Sequence, residues 1–167
     1  MHLDEVSSNG YNYPLTIYAK HKGSGQIQQL AALLGPDGKY TIAQQITVPG
    51  HWEFWAVAGS VTSNTIQLTV EGVKVVGESN HYSKTLRTSM TLQIYSHLTG
   101  NAAIILNDPA HSTSYPLTNT YVNTGGYGEI SITLNGYANG DYEIDAIING
   151  VKASSYTYGS YWVNIGR

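Results

Sequence analysis

The chain has 167 residues, no cysteine and a formal net charge of -3, and only 11% of its residues are charged, against about 25% in typical soluble domains. Disulfides, cysteine zinc sites and thiol catalysis are therefore excluded, and nothing else in the sequence predicts a cofactor. The few scattered basic residues argue against nucleic-acid binding, and no run of about 18 apolar residues predicts membrane insertion.

Short runs of apolar residues follow one another along the chain, separated by turns rich in glycine and proline. Residues 1–10 are polar and predict an arm or a short first strand, whereas residues 26–34 fit a strand or a helix. Strands are predicted at residues 14–20, 40–48, 65–70, 86–95, 102–106 and 129–134. Short strands with a turn every 8 to 12 residues or so favour a β-sandwich over a parallel α/β sheet.

Two further strands share one pattern, which is glycine, any residue, a large aromatic, glutamate, an apolar residue, any residue, alanine and an apolar residue. The copies are Gly50-His51-Trp52-Glu53-Phe54-Trp55-Ala56-Val57 and Gly140-Asp141-Tyr142-Glu143-Ile144-Asp145-Ala146-Ile147. A tight turn follows each copy, at Gly59-Ser60 and at Asn149-Gly150. The repetition indicates that the chain holds two versions of one small β unit.

The pattern resembles the F strand of immunoglobulin-like (Ig-like) domains, G-x-Y-x-C-x-A, with Trp52 and Tyr142 at the tyrosine-corner position. Phe54 and Ile144 replace the disulfide cysteine of that strand. The resemblance implies an all-β chain of two tandem Ig-like antiparallel β-sandwich domains, residues 1–71 and 72–167. Matching Leu15 to Leu92, Trp52 to Tyr142 and Val70 to Ile165 predicts insertions in the second copy near residues 108–126 and 154–160.

The two-residue period of a strand separates a core face from an outer face. It places Trp52, Phe54, Ala56 and Ala58 inward, with Tyr142, Ile144, Ala146 and Ile148 inward in the second copy. Trp55 is predicted to point outward. An exposed tryptophan can anchor a protein contact or stack on a sugar, although contact between the domains or with the N-terminal arm can also bury it. The predicted interaction surface comprises Trp55, His51, Glu53, Trp162, Tyr156, Tyr158 and Tyr127.

Asp141, Glu143 and Asp145 form a row of carboxylates on the outer face of the second copy. Residues two apart on a strand are about 6.6 to 7 Å apart, so one calcium ion cannot bind all three without a ligand from another segment. The alternative is a solvated face whose charge Lys152 relieves across the hairpin. The six histidines have no metal-binding spacing and are expected to be isolated surface residues, so no metal site is predicted.

No motif in the sequence assigns a catalytic activity, and the chain is predicted not to be an enzyme. The expected function is a structural or interaction module of an extracellular surface or virion assembly, whether adhesin, appendage or capsid-associated protein. Its expected partners are other protein subunits, including copies of itself. The alternative is a carbohydrate-binding module that uses exposed tryptophan and tyrosine, with a glycan as the partner.

Overall fold

The computed structural model describes residues 15–166, and 59% of the chain is β-strand. The predicted arm at residues 1–10 lies outside the described part. One 3-10 turn, Ala153–Ser155, interrupts the strands. The strands are β1 Leu15–His21, β2 Ile27–Leu30, β3 Ala32–Leu34, β4 Tyr40–Ile42, β5 Gly50–Ala58, β6 Val61–Thr62, β7 Ile66–Val70, β8 Val73–Gly77, β9 His81–Ser83, β10 Met90–Ser96, β11 Gly100–Asp108, β12 Thr113–Val122, β13 Tyr127–Ile132, β14 Gly140–Ile148, β15 Val151–Lys152 and β16 Tyr161–Gly166.

The first copy is built on one antiparallel sheet in which β1 lies between β2 and β5, and in which β6 and β7 both pair with β5. A separate hairpin, β3–β4, completes the strands of this copy. The sheet buries alternate residues of β1 and β5 because one of its faces covers the core and the other meets solvent. The core of this copy consists of Ile17, Ala19, Leu30, Trp52, Phe54 and Ala56.

The second copy is a larger sandwich of two sheets. One sheet has the order β13-β10-β8, and the other has the order β12-β11-β14-β16-β9, with β15 paired to β14. Strand β9 runs parallel to β16, whereas the other pairs are antiparallel. Its core contains nineteen buried residues, and the described part of the first copy, from residue 15 onward, has a core of six.

Strands β5 and β14 have the same surroundings, which confirms the Ig-like fold predicted from the repeated pattern. Trp52 Nε1 donates to the Val48 carbonyl at 2.9 Å, and the Tyr142 hydroxyl donates to the Ala138 carbonyl at 2.9 Å. Each bond reaches back four residues, as a tyrosine corner does. The residues predicted to point inward on β5 and β14 are all buried.

The strand register supports one part of the predicted repeat and overturns another. Val70 pairs with Gly50, and Ile165 pairs with Gly140, so β7 and β16 are equivalent strands. The match of Leu15 to Leu92 is wrong, because β1 pairs with β5 whereas β10 pairs with β8 and β13. Strand β1 instead takes the place of β11, which pairs with β14 in the same antiparallel way.

Four segments differ from the predicted strands, and one of them is the strand predicted at residues 86–95, which begins only at Met90. Residues 26–34 form two strands, β2 and β3, rather than one helix or strand, and only Tyr40–Ile42 of the predicted strand 40–48 is extended. The predicted insertion near 108–126 contains the ten-residue strand β12. Pro116 is accommodated because β12 lies at a sheet edge, where the register also shifts, and an edge strand can lose a backbone donor without breaking a ladder. The domain boundary between residues 71 and 72 stays a prediction.

Candidate functional site

Trp55 lies on the outer face of the first sheet, outside the core that contains Phe54. Its indole stacks on the ring of Tyr18, with centroids 5.6 Å apart and planes inclined by 19°. The two residues are direct cross-strand partners on β1 and β5, which brings their side chains together on one face. Both side chains are half-buried, and the stack covers one face of the indole.

Glu53 and His51 continue the outer face of β5 toward the second copy. Glu53 accepts a hydrogen bond from Gln67 Nε2 at 3.1 Å and lies 3.9 Å from Lys22 Nζ. His51 bridges the two copies, because its Nε2 donates to the His97 carbonyl at 3.2 Å and its Nδ1 accepts from Thr69 at 2.9 Å. His51 therefore joins the two copies, whereas Glu53 stays on the outer face of the first sheet, with 28% of its side chain exposed.

The contact between the two copies combines backbone and side-chain groups, and we call it the junction. The turn after β1 meets the turn after β12, where Asn123 Nδ2 donates to the Gly23 carbonyl at 3.0 Å and the His51 amide donates to the Gly125 carbonyl at 3.1 Å. A Cβ on Gly125 would lie 2.2 Å from the Gly23 nitrogen. Only glycines allow the backbones of these two turns to approach this closely.

His97 ties the segment between the copies to the second copy. Its Nδ1 lies 3.0 Å from both the nitrogen and the carbonyl oxygen of Gly72. The His97 amide also donates to that oxygen at 3.2 Å. Because His97 contacts both Gly72 and His51, one loop of the second copy fixes the linker and the end of the first sheet.

His21 is buried at the junction, with 1% of its surface exposed. Its ring lies edge-on between Trp52 of the first copy, at 5.0 Å, and Tyr95 of the second copy, at 5.3 Å. Nε2 donates to the Pro49 carbonyl at 2.9 Å, and Nδ1 accepts from the Ser24 amide at 3.1 Å. Burial lowers the pKa of His21 below its usual 6.5, and the nearby His51 lowers it further, against the raising effect of the Pro49 bond.

The prediction that the histidines are isolated surface residues is therefore wrong for His21, and His51 and His97 are junction residues. Nothing in the sequence around His21 indicates that a second domain covers this residue. Gly23, Gly25, Gly125 and Gly126 were the available signal, since clustered glycines mark close backbone approach, but sequence alone does not pair the two turns.

Tyr127 also belongs to the junction. Its ring lies 5.3 Å from that of Tyr95, and its hydroxyl donates to Glu129 Oε2 at 2.5 Å. Burial, with the bond to Glu129, raises the pKa of Tyr127 to about 12. Tyr127 was predicted to be part of an interaction surface. In the structure it lies against the first copy, because a Cβ on Gly23 would be 2.7 Å from the Tyr127 nitrogen.

The carboxylate row on β14 is satisfied by neutral donors. Asp141 accepts from Asn164 at 2.7 Å, and Glu143 accepts from Asn107 at 3.0 Å and from Ser160 at 3.1 Å. Lys152 lies opposite Ile147 in the β14–β15 hairpin, and within residues 15–166 it forms no ion pair with these carboxylates, so its relief of their charge stays a prediction.

Asp145 is not outward and solvated, as predicted, but only 3% exposed. The 3-10 turn Ala153–Ser155 folds over it, and Asp145 accepts from the Ser154 amide at 3.0 Å and from the Ser154 hydroxyl at 2.5 Å. Within residues 15–166, no group of three or more His, Asp or Glu residues is arranged to hold a metal ion. The same part of the chain has no helix long and apolar enough to cross a membrane.

The remaining predicted surface residues lie at one end of the second copy. Trp162 is directly opposite Glu143 on β16 and is 51% exposed. Tyr158 is 86% exposed and has a φ of 60°, a left-handed conformation that tyrosine seldom adopts. Tyr156 is half-buried and packs against the core of the second copy. Of the seven predicted residues, Trp162 and Tyr158 are the ones that the fold leaves most open to a partner.

No protein-family model and no curated protein matches this chain. Among solved structures, a tetra-tandem repeat in the extending region of a large adhesion protein is 17% identical, with a TM-score of 0.37, over 97% of this chain and 47% of that one. An alpha-2-macroglobulin of Salmonella is 14% identical, with a TM-score of 0.34, over 91% of this chain and 12% of that one. A glycosyl hydrolase family 2 member from Bacteroides cellulosilyticus DSM 14838 is 8% identical, with a TM-score of 0.39, over 98% of this chain and 26% of that one. This chain spans less than half of each, and likeness this low says nothing of its activity.

Proposed function

We propose that this chain is a non-enzymatic structural and interaction module of an extracellular surface or virion assembly. The observation that supports this most is that Trp162 and Tyr158 are exposed on backbone segments held by hydrogen bonds. Trp162 projects from the regular strand β16, and the Gly159 amide, next to Tyr158, donates to the Tyr156 carbonyl at 3.1 Å. Aromatic side chains with little freedom to lose on binding are the usual anchors of protein interfaces.

The energy at stake is sufficient for an anchor. A tryptophan that is 51% exposed leaves about 100 Å² of mostly apolar surface in water, and burying it is worth about 2–3 kcal/mol. The left-handed backbone of Tyr158 adds support, because strain of about 1–3 kcal/mol is kept mostly where a side chain must be presented in one direction. The proposed partners are other protein subunits, including further copies of this chain.

Carbohydrate binding is the second candidate, supported by the outward position of Trp55. It is less favoured because Tyr18 covers one face of that indole, whereas sugar stacking uses a free aromatic face. The two proposals differ in the aromatic residues that they require, since a glycan site needs Trp55 and an assembly surface needs Trp162 and Tyr158.

The test is the mass of the chain in solution, measured by light scattering over a range of concentrations. We expect the mass to rise with concentration, and we expect Trp162→Ala to suppress the rise. Tyr121→Ala is the matched control, because Tyr121 is similarly exposed, at 59%, but lies on β12, and it is expected to behave as the native chain. A native chain that stays monomeric at every concentration would contradict self-assembly, and binding to a glycan array that Trp55→Ala removes would establish the second candidate.

A further inference from the structure

The junction contains an imidazole whose two hydrogen bonds to backbone groups are those of its neutral form. His21 Nε2 faces a carbonyl, that of Pro49, so this nitrogen must carry a proton. Nδ1 faces a backbone amide, that of Ser24, so this nitrogen must offer its lone pair. A histidine with one donor bond and one acceptor bond is neutral, because the imidazolium ion has donors on both nitrogens.

Adding a proton to His21 places two donors against each other. The new Nδ1–H would point toward the Ser24 amide, which cannot accept a hydrogen bond. The Ser24 hydroxyl, 3.2 Å from Nδ1, can accept that proton only if the ring gives up the amide. The charge would also be enclosed, since the ring is 1% exposed between Trp52 and Tyr95. Burying an unpaired charge is costly, so the contact opens instead.

The groups around the ring do not compensate for such a charge. Lys20 precedes it on β1 and Lys22 follows that strand, and His51 on β5 lowers the pKa of His21 by charge repulsion. Glu53 is engaged with Gln67 and Lys22, and Glu129 with Tyr127. Tyr95, which stacks on the ring from β10, has a pKa raised by burial and is neutral throughout the acid range. No carboxylate forms an ion pair with His21 in the described part of the chain, residues 15–166.

The other two junction histidines are half-buried and have different partners. His51 Nδ1 faces the Thr69 hydroxyl, which can accept as well as donate, so a protonated His51 keeps both of its bonds. His97 Nδ1 lies equally close to the Gly72 amide and the Gly72 carbonyl, so a proton there finds an acceptor. His21 differs from both, because its ring is only 1% exposed and because a proton on Nδ1 would displace the bond from the Ser24 amide.

We propose that the junction is an acid-sensitive hinge, in which protonation of His21 releases the first copy from the second. The two copies then remain folded but change their relative orientation freely. The inference does not depend on the proposed assembly function, because it concerns contacts within one chain.

The direction in which pH changes the stability of the closed junction follows from the linkage between protonation of His21 and closure. A histidine whose pKa in the closed state is lowered contributes stability that is fully present above its ordinary pKa of 6.5, and this stability is lost as the pH falls through the lowered value. For one proton, the ratio of open to closed chains rises at most tenfold per pH unit, which is about 1.4 kcal/mol per unit.

The test uses the absence of cysteine from the natural sequence. Val61→Cys, at the tip of the β5–β6 hairpin, and Ala110→Cys, in the turn after β11, place two dyes on exposed positions of different copies. Single-molecule energy transfer is recorded from about pH 8 to pH 5, a range that stops above the usual pKa values of Asp and Glu. We expect one narrow distance population at high pH and a second, broad one that grows below pH 6.5.

His21→Gln removes the titrating group and keeps an NH donor for the Pro49 carbonyl, so we expect it to abolish the transition. His111→Gln is the control, because His111 is exposed and pairs with Asp108 at the far end of β11, and it is expected to retain the transition. An unchanged distance down to pH 5 in the native chain, or a transition that persists in His21→Gln, overturns the proposal. Should His21→Gln not fold, NMR titration of the native His21 ring decides, since a midpoint that differs from that of the distance change is equally contradictory.

Discussion

Removing the hydrogen bond of the Tyr142 hydroxyl is the most direct test of the corner geometry that the two copies share. Tyr142→Phe removes one oxygen from a side chain that is 3% exposed and leaves its ring in the core. The Ala138 carbonyl then loses its donor, but Ala138 is exposed and water can replace the tyrosine. The loss is therefore that of one hydrogen bond, about 1 kcal/mol, rather than the larger penalty of an orphaned buried group.

Urea unfolding followed by circular dichroism measures this change as a lower midpoint at unchanged slope. In a thermal scan of a chain this long, about 1 kcal/mol corresponds to a fall in Tm of about 2–4 °C. The matched control is Tyr121→Phe, which alters an exposed tyrosine and is expected to leave the midpoint unchanged. Equal midpoints for Tyr142→Phe and the native chain would refute the reasoning, because the corner bond would then contribute nothing.

Three further predictions concern stability, each measured as a urea midpoint. Gly50→Ala is expected to destabilise the first copy by more than about 2 kcal/mol, because φ is 130° and the new Cβ would lie 2.2 Å from His21 Nε2; tolerance of alanine would disprove that contact. Ser154→Ala should cost about 1–3 kcal/mol by leaving Asp145 without its hydroxyl donor, whereas Ser154→Thr should recover most of it. The raised pKa of Tyr127, about 12, adds stability that is full below the ordinary tyrosine pKa of about 10 and is lost as the pH rises toward 12. Tyr127→Phe should flatten this alkaline decline, and an unchanged decline would contradict the assignment.

Local pattern was sufficient to predict the F-like strands and their faces. Trp52, Phe54 and Ala56 alternate with polar or exposed positions, and only an extended strand places such residues on one side. The glycine that begins each strand and the tight turn that follows it set the ends of the strand. Trp162 was predicted to be exposed for the same reason, since it lies between inward residues on β16.

The choice of partner strand was not predictable, and this accounts for the errors. Leu15 and Leu92 begin similar alternating runs, but alternation is common to every half-buried strand and does not specify a neighbour. The insertion near residues 108–126 was predicted without a strand of its own, although an edge strand such as β12 needs neither an apolar face nor every amide. The burial of His21 and Asp145 depends on segments far away in sequence or folded back from an insertion, which residue spacing cannot reveal.

The contact between Gly23 and Gly125 places the orientation of the two copies under the control of main-chain atoms. In an interface made of side chains, the relative orientation of the partners can change gradually, because one substitution is often offset by another of different size. Here no smaller residue exists to compensate for an added methyl group, so mutation can break the contact but cannot adjust its angle. The angle between the copies therefore depends on keeping glycine at both positions, because a side chain at either one would meet backbone atoms of the other copy.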